Sequence, residues 1–289
     1  MPLGASDFED HEVRYETSSR LAGLALASIE PARAAMCRLF TDRKLGCDGS
    51  PAMVSDWSGN PWSVTSNLPI AFQDIAGTHD HFCGTLLDEP RRVACWGLND
   101  LGQLGVSGAP ATAVYVQREA GGELSGVTSV AVGQFKACAT LQSGHAFCWG
   151  DNSSGALGHG DTAQHVGAVQ VVGVTDAVQV AVAASHACAR TRSGEVYCWG
   201  RAAYLGIGDA KGDAADGSIF TSAQQVAGLH GVVELQAAGT GHHTCAQLET
   251  GPVLCWGGNH AGQLGDGTLI DRAQPTAVSG LFEAWSRDE

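Results

Sequence analysis

HACARTRSGEVYCWG, residues 186–200, sets two cysteines ten positions apart around a Ser-Gly turn and closes on Trp-Gly. The arrangement returns in KACATLQSGHAFCWG (136–150) and HTCAQLETGPVLCWG (243–257). Ser193 is the midpoint of the first pair. A three-residue loop, Arg192-Ser193-Gly194, therefore places Cys188 directly opposite Cys198 in a hairpin. Gly194 falls at the last loop position, where a left-handed backbone is wanted. Gly144 and Gly251 hold the same place in their copies. Opposed residues of an antiparallel pair have Cα atoms about 4.5–5.5 Å apart, and a disulfide accepts about 4.4–6.8 Å. Each hairpin can carry one bridge.

Working outward, the ten cysteines fall into five ordered pairs: Cys37/Cys47, Cys83/Cys95, Cys138/Cys148, Cys188/Cys198 and Cys245/Cys255. The second pair is twelve apart, and its even spacing keeps both sulfurs on one face. A bridge closing so short a loop contributes roughly 2–3 kcal/mol. Free thiols packed as small apolar groups fit the same positions. Structural zinc fits poorly, because it takes cysteines about two to four residues apart. Even, paired and periodic cysteines favour bridges and an oxidising compartment: extracellular, periplasmic or cell-surface. No export signal is visible to accompany them. The apolar run Leu21–Ile29 follows an acidic stretch, Asp7–Glu16, where a leader would carry positive charge.

Cys-Trp-Gly recurs at 95–97, 148–150, 198–200 and 255–257, at intervals of 53, 50 and 57 residues. A second element follows three of these: LNDLGQLG (98–105), DNSSGALG (151–158) and GNHAGQLG (258–265). RAAYLGIG (201–208) reads as its degenerate fourth copy. Ahead of the cysteines stand runs such as VTSVAVG (127–133) and AVQVAVA (177–183), whose period of two means strands with one buried face. A weaker fifth copy, residues 21–49, keeps the cysteine pair but has Asp48 in place of Trp. Each unit thus reads as a short strand, an alternating strand and a hairpin. Four strands per 50 residues is the signature of a β-propeller blade, and a solenoid of hairpins is the alternative.

CWGLNDLGQLG, CWGGNHAGQLGDGT and GTGHHTCAQLETGPVLCWG resemble the regulator of chromosome condensation repeat, here in a cysteine-paired form. The resemblance covers about residues 20–285. It implies an all-β propeller, usually of seven blades. Five recognisable hairpins leave three readings open: a closed five-bladed ring, a closed six-bladed ring, or part of a seven-bladed one. Members of the family include a chromatin-bound guanine-nucleotide exchange factor, ubiquitin-ligase modules and secreted propellers that inhibit β-lactamases. No functional loop of these carries across residue by residue, and the fold does not fix the function.

The net charge of −14, with only Lys44, Lys136 and Lys211 as lysines, leaves no basic patch for a phosphate backbone or an anionic membrane. No run reaches the roughly 18 apolar residues that span a bilayer. Histidine recurs two positions before the first cysteine, as His81, His186 and His243, with Lys136 and Ala35 in the remaining copies. These read as side chains bonding a neighbouring loop. The His79/His81 and His242/His243 neighbours lack a third ligand placed by the sequence, so no metal or cofactor is expected. No nucleophile elbow, phosphate loop or dinucleotide fingerprint is present. An acidic insertion, GDAKGDAADGS (208–218), carries Asp209, Asp213 and Asp216. Their spacing does not suit a calcium loop; the insertion reads as a solvated loop and, as an insertion on a rim, as the segment to test for a partner contact. PTAVSGLFEAW (275–285) reads as outer strands of a further blade.

Residues 1–18 read as an acidic lead-in and 19–289 as the propeller. The functional expectation is a non-catalytic scaffold for a protein partner, monomeric if its ring closes. The alternatives are an exchange-factor-like regulator of a small GTPase and a secreted inhibitor of an enzyme.

Overall fold

A computed structural model describes residues 26–31, 35–40, 45–49, 71–78, 81–108, 113–208 and 217–279; before residue 71 it describes backbone alone, apart from Cys37. Asp209, Asp213, Asp216 and His79 lie outside the described residues, as does the division at 18/19.

Among the described residues nineteen strands form five antiparallel sheets in chain order. The first holds β1 (Leu26–Pro31), β2 (Ala35–Phe40) and β3 (Leu45–Gly49). The second holds β4 (Phe72–Gly77), β5 (His81–Leu86), β6 (Val93–Gly97) and the short β7 (Val114–Tyr115). The third holds β8 (Val127–Gly133), β9 (Lys136–Leu141), β10 (Ala146–Gly150) and β11 (His165–Gln170). The fourth holds β12 (Ala177–Val182), β13 (His186–Thr191), β14 (Val196–Arg201) and β15 (Ile219–Gln225). The fifth holds β16 (Val232–Ala237), β17 (His243–Leu248), β18 (Val253–Gly257) and β19 (Arg272–Ala277). Each sheet is a meander whose first strand lies innermost and packs on the first strand of the next. This is propeller architecture of the regulator of chromosome condensation type.

Two details correct the sequence reading. The short strand of each unit follows its hairpin as the outermost strand and does not precede the alternating one. Arg272–Ala277 accordingly closes the fifth sheet, so PTA (275–277) belongs to it and not to a further blade.

The hairpins carry the cysteines face to face. Cys83, Cys138, Cys188 and Cys245 pair in register with Cys95, Cys148, Cys198 and Cys255. All four pairs are disulfides, with Cα atoms 4.0–4.1 Å apart. Thr191 and Glu195 bond through their backbones at the turn, so Cys188 and Cys198, three steps away, form the closer, non-hydrogen-bonded kind of pair. Cys37 is likewise disulfide-bonded and lies in register with Cys47. Gly144, Gly194 and Gly251 have φ of 81°, 80° and 107°. The carbonyls of Gly144 and Gly194 accept the N–H of Ala177 and Val232, the first residues of the following innermost strands. A Cβ on Gly144 would stand 2.4 Å from the Thr175 carbonyl. The turn glycine thus serves both the hairpin and the joint between sheets.

Every innermost strand breaks register with its partner near its start, at Leu26/Ser28, Phe72/Asp74, Val127/Ser129, Ala177/Gln179 and Val232/Glu234. Such bulges sharpen the local twist, which lets successive sheets fan about one axis.

The core is built joint by joint. Each buried cluster combines the cysteines of one sheet with the tryptophan of the next: Cys37 with Trp96, Cys83 and Cys95 with Trp149, Cys138 and Cys148 with Trp199, Cys188 and Cys198 with Trp256. All four indoles are buried. Side chains alternate across a strand, so a residue next to cysteine must face the other way. A flat ring then fills the wedge between neighbouring sheets.

Candidate functional site

The starts of the second and fourth strands, and the loops that leave the Trp-Gly dipeptides, converge on one edge of the molecule, called here the upper rim. Its geometry begins with those glycines. Gly150, Gly200 and Gly257 have φ of 102°, 108° and 101°. A Cβ on them would lie 2.3, 2.5 and 2.2 Å from the carbonyls of Phe135, Ser185 and His242. The same carbonyls accept the N–H of the residue after each glycine, Asp151, Arg201 and Gly258, at 2.8–3.0 Å. Trp-Gly is therefore a crossing point of two backbones. Phe135 holds its place with φ of 59°, the one positive value outside glycine among the described residues.

The residues after those carbonyls form the row seen in the sequence. His81, Lys136 and His186 are fully buried, and His243 is half-buried. Lys136 Nζ donates to the Gln134 carbonyl at 3.0 Å and to Ala184 of the fourth sheet at 2.5 Å. Burial pushes its pKa down to about 8, against the pull of Asp151. His186 Nε2 meets Thr244 Oγ1 of the fifth sheet at 2.7 Å. Burial, reinforced by His242, Lys136 and His243, pushes it down to about 3, so it is neutral near pH 7. Ser185 Oγ lies 2.9 Å from His242 Nδ1, whose ring stacks on Tyr204 at 4.8 Å. Burial also lowers His242. The contacts of Lys136 with Ala184, His186 with Thr244 and Ser185 with His242 join one sheet to the next, so this part of the row is a seam between sheets. Among the described residues no group of three or more His, Cys, Asp or Glu is placed to hold a metal.

Farther out, the loops hang on an asparagine to which the sequence reading gave no role. Asn259 Nδ2 donates to the carbonyls of Thr268 and Ile270, both at 3.0 Å, while its Oδ1 accepts from Leu264 N–H at 2.9 Å. Asn152 does the same with Asp161, Ala163 and Leu157, and Asn99 with Val106, Gly108 and Leu104. One side chain closes the whole loop. The signal was present as the shared second position of LND, DNS and GNH. The fourth sheet lacks it. There the path from Trp199 to Gly206 is two residues shorter than from Trp149 to Gly158, and a 3₁₀ turn, Ala202–Tyr204, replaces the clamp. Leu205-Gly206 stands where Leu157-Gly158 stands, each glycine against the next tryptophan. This corrects the residue-by-residue match of RAAYLGIG. Trp149 and Trp199 donate to the Gln103 and Ala156 carbonyls of the preceding loop at 3.0 and 2.8 Å, whereas Trp256 Nε1 finds no acceptor among the described residues.

At the axis, four of the five innermost strands, β4, β8, β12 and β16, line a cavity of about 400 Å³, with Asp74, Ser129, Gln179, Glu234 and Gln236 among the lining residues. The Glu234 carboxylate accepts from both glutamines, at 2.8 and 2.7 Å. At the upper end the Gly239 carbonyl accepts from Gln134 N–H at 2.7 Å, and Gly241 accepts from Ala184 at 2.9 Å.

The sequence pattern described as the regulator of chromosome condensation (RCC1) repeat matches residues 127–156 and 177–204, and in a second form 143–190. The chain carries RCC1 repeats. Its fold is similar to that of Prp20p from Saccharomyces cerevisiae, with a TM-score of 0.73 and 19% identity over 90% of this chain and 64% of the yeast one. Human WBSCR16 is similar at a TM-score of 0.71 and 17% identity, over 88% of this chain and 67% of the human one. The RCC1-repeat chain thus spans somewhat under two thirds of the yeast protein's length. The report on Prp20p concerns its binding to Gsp1p and histones, and a second concerns Kap60 bound to it.

Proposed function

We propose that the protein is a non-catalytic scaffold, exported to an oxidising compartment, that holds a protein partner on its upper rim. The observation that carries this reading is how fully the repeated residues are engaged in structure. The tryptophans fill wedges, the glycines pass crossing backbones, the asparagines close loops and the histidines tie sheets. The outer loops of the upper rim differ between copies, and variable loops on a rigid frame are where binding resides. Residues 209–216 follow Gly208 and precede Gly217 in the sequence, and Asp209, Asp213 and Asp216 remain proposed partner contacts. The strongly negative charge favours a basic partner. The bridged hairpins support the oxidising compartment. No described helix is long and apolar enough to cross a membrane.

The test is chemical cross-linking of the native, disulfide-bonded protein in its own compartment, followed by mapping of the linked peptides. Recovery of one partner linked through residues 98–108, 151–166 or 258–272 is the expected result. No cross-linked protein, or links spread evenly over the surface, would remove the reading. Intact mass before and after alkylation without reductant tests the compartment, with no alkylated thiol expected. A second reading, promotion of nucleotide release from a small GTPase, draws on the likeness to Prp20p. Unchanged release rates across candidate GTPases would dismiss it.

A further inference from the structure

Five of the eight large apolar side chains exposed among the described residues lie on the upper rim: Leu101, Val166, Ile219, Leu269 and Ile270. Leu269 and Ile270 are adjacent and the most exposed of all, at 68% and 63%. Solvent-facing aliphatic pairs are ordinary on floppy loops, but this loop is fixed. Asn259 holds the carbonyls on either side of Leu269, and Asp266, paired with Arg272 at 2.6 Å, accepts the Thr268 N–H and hydroxyl. In the third sheet the same clamp presents Thr162 and Ala163 instead. Leu101 is fixed in a comparable way. Its N–H donates to Gln103 Oε1 at 2.9 Å, and its carbonyl accepts from Gln164 of the next sheet at 2.7 Å, beside Val166. Apolar side chains held rigidly in water need no ordering on contact, which is the arrangement that favours binding.

The exposed charges beside Leu101, Val166, Leu269 and Ile270 are mainly acidic, whereas Ile219 stands in register with the exposed Arg201. Asp100 precedes Leu101, Asp271 follows Ile270, and Asp161 and Glu119 flank His165 next to Val166; Asp100, Asp161 and Asp271 are exposed. The nearest arginine, Arg272, is already engaged by Asp266.

Resting on the scaffold reading, we propose that the upper rim receives an amphipathic basic segment of the partner. Its aliphatic side chains dock on Leu269–Ile270 and on Leu101–Val166, and its lysines or arginines meet Asp100, Asp161 and Asp271.

The test uses the full chain and three fluorescent peptides of equal length, patterned leucine/lysine, serine/lysine and leucine/glutamate, read by anisotropy at physiological salt. The leucine/lysine peptide is expected to bind at least tenfold more tightly than either control. L269S/I270S should weaken it at least tenfold, and L87S/V172S, on the opposite edge, should leave it unchanged. All four positions are exposed, so neither double variant should disturb folding. Equal binding of the serine/lysine peptide, or no effect of L269S/I270S, would overturn the inference. Partner cross-links that map to the lower edge would also overturn it while leaving the scaffold standing. Peptide binding as described with no captured partner would do the reverse.

Discussion

The fourth and fifth sheets have the same hairpin, the same disulfide and the same tryptophan, yet they live in different surroundings. In the fourth, β13 is buried along nearly its whole length; in the fifth, β17 alternates, with Thr244 and Ala246 covered and His243, Cys245 and Gln247 partly or fully exposed. The residue beside the first cysteine changes accordingly. Ala131 faces Cys138 and Ala181 faces Cys188, but Gln236 faces Cys245. Register and bridge are thus local properties of each hairpin, whereas burial is supplied by the neighbour.

The largest expected separation comes from the wedge residues. Trp199→Ala and Trp256→Ala should each cost about 3–5 kcal/mol. The fourth-sheet variant should lose roughly 1 kcal/mol more, because its indole also bonds the Ala156 carbonyl. Urea midpoints of the two variants check this, and equal midpoints would break the comparison. Removing either bridge, as C188A/C198A or C245A/C255A, should cost roughly 2–3 kcal/mol. The sheets should part company in rate: timed reduction followed by peptide mass mapping should show Cys245–Cys255 opening first, since Cys188 and Cys198 are fully buried.

Acid sharpens the contrast further. His186 titrates near 3 when folded and about 6.5 when unfolded. The unfolded chain takes up its proton first, so stability falls as pH drops from about 6.5 toward 3, at up to about 1.4 kcal/mol per pH unit. H186Q should flatten that limb of a stability-versus-pH curve more than H243Q, because His243 is only half-buried and less strongly lowered. The smallest effect has the opposite sign. His165 stands 2.7 Å from Glu119 and 3.0 Å from Asp161, and only an imidazolium donates to both. Burial opposes the charge, but the two carboxylates raise the ring above its usual value. Its contribution is full below about pH 6.5 and fades as pH rises through the raised value. Both carboxylates are open to water, so H165Q should shift stability by under about 1 kcal/mol at pH 5.5 and by less at pH 8.

What was legible in the sequence was what the chain settles within about fifteen residues. Cysteine spacing and the position of Gly194 give the hairpin, and period two gives the innermost strand. The bulges left no mark, because Gln179 and Glu234 look like ordinary alternating positions. The reason for Gly200 was hidden as well, since it lies in the carbonyl of Ser185, fifteen residues earlier. Asn152 and Asn259 had no assigned role until their bonds to carbonyls nine to eleven residues on were visible. The shortened loop after Trp199 was misread because glycine was matched to glycine when leucine was the fixed point. The exposure of Leu269 and Ile270 depends on what stands beside them, which no local pattern records.

Each joint between sheets has two unlike sides, a bridged hairpin and an indole, so a hairpin is covered only when the next sheet is in place. A chain threaded into an oxidising space from its amino end would seal each hairpin first and then wait some fifty residues for the ring that covers it. Growth in that direction never leaves more than one sheet uncovered, whatever the final number of repeats.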